Sequence, residues 1–216
     1  YTGLTDILAG TLTTGTANAF ARSEAVTVAS GATLDLNGYD QIAQNLAGGG
    51  TISLGSARLT AENSSATIFS GQITGSGGLT KSGAGSLTLS GGNSHSGGTT
   101  VDEGRLIIQT VTALGSGLVT NQAELELALN SDGVIANQIT GGGAVYKSGS
   151  GRIGLSPSGS SMGSLTGIGE VLEWSGHNGL TVSGAYSQNP PSWLAVAVGS
   201  GPAVRPARPP PSGSCV

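Results

Sequence analysis

The stretch Gly77–Leu106, GGLTKSGAGSLTLSGGNSHSGGTTVDEGRL, is the part of this sequence that decides its fold. Within it, Leu87 and Leu89 alternate with Ser and Thr, so the leucines share one face of a strand and the hydroxyls share the other. Two further strand-like segments, around Val101 and from Leu106 onward, each follow a glycine-rich corner. Short strands interrupted by Gly and Asn at close intervals leave no room for helices, so the stretch predicts an all-β structure.

Parts of this unit recur along the chain. Lys81-Ser82-Gly83 and Lys147-Ser148-Gly149 stand 66 residues apart (147 − 81 = 66), each between a Gln-Ile-Thr-Gly and a Leu-Ser. The start of the chain, Tyr1–Leu12, also aligns in sequence with His95–Leu106. Strand intervals of roughly 8–12 residues would suit a sandwich or a solenoid, but the repetition favours stacked modules, and 66 residues fit three coils of about 22. The sequence therefore predicts a right-handed, single-stranded parallel β-helix with an irregular C-terminal tail.

Alternation also predicts which side chains point into the coils and which meet water. The apolar positions expected inside are Leu34, Leu36, Ile52, Leu87, Leu89, Leu125 and Leu127, with Ile68, Ile73 and Leu79 continuing the series. The hydroxyl residues expected on the outer flanks are Ser86, Thr88, Ser90, Thr99 and Thr100. We expect His95 to lie in an exposed loop.

Composition excludes several classes of protein. Glycine accounts for 39 of 216 residues, without the three-residue period of collagen, and charged residues make up only 9%. The net charge is −4 with 8 Lys and Arg, so no basic stripe with interleaved aromatics supports nucleic-acid binding. The lone cysteine, Cys215, cannot form a disulfide within the chain. The apolar runs are too short to span a bilayer as a helix.

The pattern divides the chain into three parts. Residues 1–156 carry the β-helical repeats, residues 157–185 look like degenerate final coils or a cap, and residues 186–216 form a Pro-rich tail that we expect to be disordered. Seven of the eight prolines lie at or after Pro190, and proline cannot donate ladder hydrogen bonds. Because the repeat is already under way at Tyr1, we interpret the chain as an internal piece of a longer protein.

The spaced pattern G-x-G-x-L-x-L-S-G-x-N-x-x-x-G-x-T-x-V-x-x-G-x-L resembles the passenger-associated repeat, or autotransporter-associated β-strand repeat, of bacterial autotransporter proteins. It is carried here by Gly83, Gly85, Leu87, Leu89, Ser90, Gly91, Asn93, Gly97, Thr99, Val101, Gly104 and Leu106. The phrase Ala113–Gly117 that follows is similar to that family too, whereas His95 stands where the family often has Tyr. The resemblance covers roughly residues 1–156.

This resemblance implies a β-helical passenger that is exported by a signal peptide and then a C-terminal membrane barrel, neither of which is in this chain. It implies display on the cell surface of a Gram-negative bacterium or release from it. The repeated hydroxyl and amide flanks of such a solenoid suit many weak contacts, so the expected partners are host-cell surfaces, matrix, glycans or neighbouring copies of the chain.

Four patterns could indicate chemistry, and each has a simpler structural interpretation. Residues 159–163, GSSMG, match the nucleophile elbow, but no helix is expected after them. Residues 149–154, GSGRIG, match the dinucleotide fingerprint, again without a helix to receive a pyrophosphate. His95 and His177 lack metal-ligand spacing. Asp102 and Glu103 are neighbours that point to opposite faces of a strand, so they are ill placed to share a proton.

The sequence therefore predicts no catalytic, cofactor-binding or metal-binding residues and no cofactor. We expect a non-catalytic structural stalk or adhesin. The alternative is a polysaccharide-acting enzyme, a lyase or glycosidase, on the same scaffold, because a fold alone does not decide function.

Overall fold

The chain folds as a stack of β-coils. The structure, a computed structural model, describes residues 2–155 and 160–167 together with the strands at 172–174, 181–182 and 186–188. Every strand pair in this part of the chain is parallel, and no helix occurs in it. The predicted parallel β-helix is confirmed.

Each coil has three faces, which the chain visits in a constant order. Face 1 is a ten-stranded sheet. Its strands are β1 (Thr5–Ile7), β3 (Val26–Val28), β6 (Ala47–Gly48), β9 (Thr67–Phe69), β12 (Ser86–Leu89), β14 (Arg105–Ile108), β16 (Glu124–Ala128), β19 (Ala144–Ser148), β22 (Ser164–Gly167) and β25 (Tyr186–Gln188).

Face 2 follows face 1 in each coil and consists of two shorter sheets. The first contains β2 (Thr11–Thr13), β4 (Thr33–Asp35), β7 (Thr51–Ser53) and β10 (Gln72–Thr74). The second contains β17 (Gly133–Ile135), β20 (Ile153–Leu155) and β23 (Leu172–Trp174). Between these two sheets, at residues 90–98 and 109–118, the chain crosses the same face without a strand.

Face 3 closes the coil before the chain returns to face 1. Its six-stranded sheet contains β5 (Gln41–Gln44), β8 (Leu59–Glu62), β11 (Leu79–Ser82), β13 (Thr99–Val101), β15 (Val119–Asn121) and β18 (Ile139–Thr140). A two-stranded sheet of β21 (Ser161–Met162) and β24 (Thr181–Val182) takes the same place in the following coils.

The core is a set of apolar ladders inside the stack. All seven predicted inward residues, from Leu34 to Leu127, are fully buried, and so are Ile73 and Leu79. On face 1 the register stacks Leu87, Leu106, Leu125, Val145 and Leu165 in one ladder. The prediction for Ile68 is wrong, since its side chain is 59% exposed. Its neighbour Phe69 points inward, and alternation therefore turns Ile68 toward water.

The predicted coil length is also wrong. Leu106 pairs with Leu125 (125 − 106 = 19) and Leu125 with Val145 (145 − 125 = 20), so a coil has about 20 residues instead of 22. Lys81 lies in β11 on face 3, whereas Lys147 lies in β19 on face 1. The 66-residue repeat thus spans three coils plus one face, because the three faces share the same alternation and the same glycine corners.

The match between the chain start and His95–Leu106 shifts faces in the same way, since Thr5–Ile7 lies on face 1 and Thr99–Val101 on face 3. At the other end, Tyr186–Gln188 pairs with Ser164–Gly167 in the ten-stranded sheet. The boundaries at 156 and 185 stay predictions, and residues 189–216, which hold most of the expected tail, lie outside the described residues.

Candidate interaction surface

The residues of the repeat pattern build the coil stack itself. Leu87, Leu89, Val101 and Leu106 are fully buried in the core. A Cβ added at the five pattern glycines would collide with backbone atoms of the preceding coil; these are Gly83, Gly85, Gly91, Gly97 and Gly104. The pattern therefore specifies how closely adjacent coils approach each other. Any role of its residues beyond building the stack is a proposal.

A buried lysine closes one corner between faces 3 and 1. Lys81 has no exposed surface, and its Nζ donates to the carbonyl oxygens of Ser82 at 2.6 Å, Gly83 at 2.7 Å and Glu103 at 3.1 Å. Burial lowers the pKa of Lys81 to about 8, and the nearby Glu103 carboxylate partly opposes that shift. The ammonium therefore supplies a cationic donor to three carbonyl oxygens of the corner, and the Ser82 carbonyl also accepts from the Asn63 amide at 2.9 Å.

Lys147 repeats this arrangement after face 1, where its Nζ donates to the carbonyls of Ser148 at 2.9 Å and Gly149 at 2.7 Å. Sequence reasoning used Lys-Ser-Gly only to mark the repeat and missed its structural role. The signal was available, because a lysine followed directly by a glycine corner occurs at an inward-pointing strand position in both copies.

The expectation for His95 is wrong, since the imidazole is fully buried. Its Nε2 lies 2.9 Å from Thr99 Oγ1, which in turn donates to the carbonyl of Leu114 at 3.0 Å. Burial lowers the pKa of His95 to about 4. The prediction that Thr99 lies on an outer flank is also wrong. The alternation of β13 points its side chain into the stack, where it is buried beside His95.

Side chains replace the missing strands of face 2. Asn93 Oδ1 accepts from the Ile73 amide at 2.8 Å, and Asn93 Nδ2 donates to the Ala113 carbonyl at 2.6 Å. One amide side chain thus joins three successive coils. Gly115 fits against the His95 ring, because a Cβ there would lie 2.8 Å from His95 Cε1. The Ala113–Gly117 phrase is therefore part of the same packing unit as Asn93 and His95.

The outer side of face 1 carries a charged cluster across three coils. Arg105 Nη2 lies 2.7 Å from Glu124 Oε2, and Arg105 Nη1 lies 3.3 Å from Glu126 Oε2. The guanidinium also lies 5.3 Å from the centre of the Tyr146 ring. Exposed ion pairs of this kind contribute about 1 kcal/mol or less, so the cluster shapes the surface more than it stabilises the fold.

A shallow groove of about 860 Å³ runs beside this cluster, along the corner between faces 3 and 1. It crosses five coils, and its lining comes from residues 64–66, 84–86, 104, 105, 107, 122–124 and 142–144. Most of the lining side chains are small, and the larger ones are Arg105, Ile107, Gln122 and Glu124. The hydroxyl flank residues Ser86, Thr88, Ser90 and Thr100 are partly exposed.

The other patterns singled out in the sequence show no assembled chemistry. Ser161 lies in β21, which pairs with β24 as an ordinary strand, while Gly159 and His177 lie outside the described residues. Gly149–Ser150 forms a coil corner, and Asp102 and Glu103 are exposed. In the part of the chain that the structure describes, no group of three or more His, Cys, Asp or Glu could hold a metal ion. No helix there is long and apolar enough to cross a membrane.

Comparison with known proteins gives two similarities. The family model of the passenger-associated-transport-repeat matches residues 79–108. The adhesin BmaC autotransporter of Brucella suis biovar 1 is 40% identical over 114 residues, which are 49% of this chain and 3% of that protein. No solved structure matches the chain.

The matched residues 79–108 begin at β11, end at β14 and include the Lys81 corner, Asn93 and His95. The chain spans only a small fraction of the adhesin that it matches, so that protein's binding partners are not carried over with the similarity. The repeat, the similarity to an autotransporter adhesin and the parallel coil stack together confirm the predicted resemblance: this chain is similar to a repeat-bearing autotransporter passenger.

Proposed function

We propose that the chain is a non-catalytic segment of a passenger that is secreted or displayed on the surface of a Gram-negative bacterium, where it acts as a structural stalk and as an adhesive surface. The observation that carries this proposal is the continuous parallel stack with a sealed apolar core, in a chain similar to an autotransporter adhesin. We propose that its partners are host-cell surfaces, matrix, glycans or further copies of the chain, and that a membrane translocator belongs to the same protein outside this segment.

The geometry suits a stalk. Ten strands of face 1 follow one another in register, so nine steps of about 4.8 Å extend the stack by roughly 43 Å. Each coil is hydrogen-bonded to its neighbours along its faces, and the pattern glycines keep the coils in close contact. A stiff stack of this kind would hold a distal part of the protein away from the cell and would present repeated side chains for many weak contacts.

Adhesion is tested with the purified chain immobilised on beads and offered to epithelial cells and to matrix proteins. We expect saturable binding without any change in the ligand. The matched control is the same chain with Leu89→Asp, which buries a carboxylate in the core and removes the ordered surface.

The proposal fails if the folded chain and the Leu89→Asp control bind equally. It also fails if the chain cleaves a polysaccharide and that turnover is lost in Asp102→Asn or Glu103→Gln, which would support an enzyme.

A further inference from the structure

The groove along residues 64–66 to 142–144 crosses the coils at a right angle to their strands. Across it, Ser86 pairs with Arg105, Arg105 with Glu124, and Glu124 with Ala144 in the parallel ladder of face 1. The backbone groups of these strands are therefore already paired within the stack, so an extended peptide lying in the groove could not add as a further β-strand. A ligand must instead contact side chains and exposed corners.

The charged side chains of the lining narrow the class of ligand further. Arg105 and Glu124 are the only charged residues of the lining, and they are paired with each other at 2.7 Å. The rest of the lining offers hydroxyl groups, one Gln amide, small apolar side chains and glycine backbone. A surface with paired charges and mixed donors and acceptors is complementary to an uncharged ligand that itself carries many hydroxyl groups.

We propose that this groove binds a neutral glycan chain laid along the axis of the coil stack. The groove spans five coils, or four steps of about 4.8 Å, which gives roughly 19 Å of contact for a short oligosaccharide. Repeated hydroxyls on the ligand meet repeated corners of the coils, so affinity grows with the number of sugar units. The inference rests on the proposed adhesive function and names the site and the ligand class for it.

The test uses Gly142, which is exposed, lies in the lining and has open space around the position of its missing Cβ. Gly142→Trp should fill the groove without disturbing the fold. Gly15→Trp is the matched control, because Gly15 is equally open and lies outside the lining. Cellohexaose, laminarihexaose and mannohexaose are titrated into each ¹⁵N-labelled protein, with a heparin hexasaccharide and a Ser/Thr-rich peptide as the other ligand classes.

We expect at least one neutral hexasaccharide to bind the chain and to shift the amide resonances of Gly142 and Gly143. Its affinity should fall at least tenfold in Gly142→Trp and stay unchanged in Gly15→Trp, with equal melting temperatures for both. The proposal is overturned if no neutral hexasaccharide binds, if both variants bind it equally, or if heparin or the peptide is the ligand that Gly142→Trp displaces. If cells still adhere to Gly142→Trp, the adhesive function stands and the groove is not its site.

Discussion

Truncation of Leu106 gives a quantitative test of the coil interior. Its side chain is fully buried and stacks between Leu87 of the preceding coil and Leu125 of the next, so Leu106→Ala leaves a cavity that the paired backbones cannot close. Leu→Ala changes at such sites cost 2–5 kcal/mol, and we expect about 3 kcal/mol here because both ladder neighbours are large and fixed. For a chain of this size, that loss lowers the melting temperature by about 6–12 °C.

The matched control is the next residue of the same strand. Ile107 points outward and is only partly buried, so Ile107→Ala should change the free energy of unfolding by about 1 kcal/mol or less. Urea unfolding followed by far-ultraviolet circular dichroism measures both variants, and an unchanged m-value shows that the same unit unfolds. Equal losses in the two variants, or a larger loss for Ile107→Ala, would refute the assignment of inner and outer faces.

Three further predictions concern the buried polar groups and a corner. Burial lowers the pKa of Lys81 to about 8, so between that pH and 10.5 the unfolded chain holds one more proton than the folded chain. The free energy of unfolding should therefore rise with pH across this window. Lys81→Met should remove that part of the rise, as measured by urea titrations repeated at each pH. The pKa of His95 is about 4 in the folded chain and 6.5 when unfolded, so the free energy of unfolding should fall by up to about 3 kcal/mol as the pH drops from 6.5 to 4. A His95→Gln variant that loses as much stability over the same pH range would contradict this role of His95. Gly104 has φ of +65°, and a Cβ there would meet the preceding coil, so Gly104→Ala should lower the melting temperature, whereas Gly142→Ala, at an open position, should leave it unchanged.

The alternation of leucines with hydroxyl residues, together with the internal repetition, was sufficient to predict the coil stack and the leucines of its core. Leu87 and Leu89 could be assigned to the interior from the sequence because a period of two leaves only one side for them. The face on which a strand lies could not be predicted in the same way. Lys81 and Lys147 stand in nearly identical sequences on different faces, so only the backbone pairing distinguishes them.

The polar interior was missed for a different physical reason. Thr is usually exposed and His is intermediate in burial, and a single sequence does not reveal that Thr99 and His95 each have a partner inside the stack. The same applies to Asn93, whose two hydrogen bonds reach coils about 20 residues away in either direction. The groove depends on residues from five coils, so it could be placed only once the coil length was known to be about 20 instead of 22.

The register of adjacent coils is the claim on which the core, the corners and the groove all depend, and a pair of engineered cysteines tests it most directly. Thr88 faces Ile107 in the neighbouring strand, so in a Cys215→Ser background the Thr88→Cys/Ile107→Cys variant should form a disulfide on mild oxidation, because paired strands bring the Cα atoms within bridging distance. A 22-residue coil would instead place Thr88 beside Thr110, so Thr88→Cys/Thr110→Cys is the matched alternative. Mass spectrometry of the digested, unreduced protein should find the bridge in the first variant alone; a bridge in the second variant and none in the first would contradict the coil register.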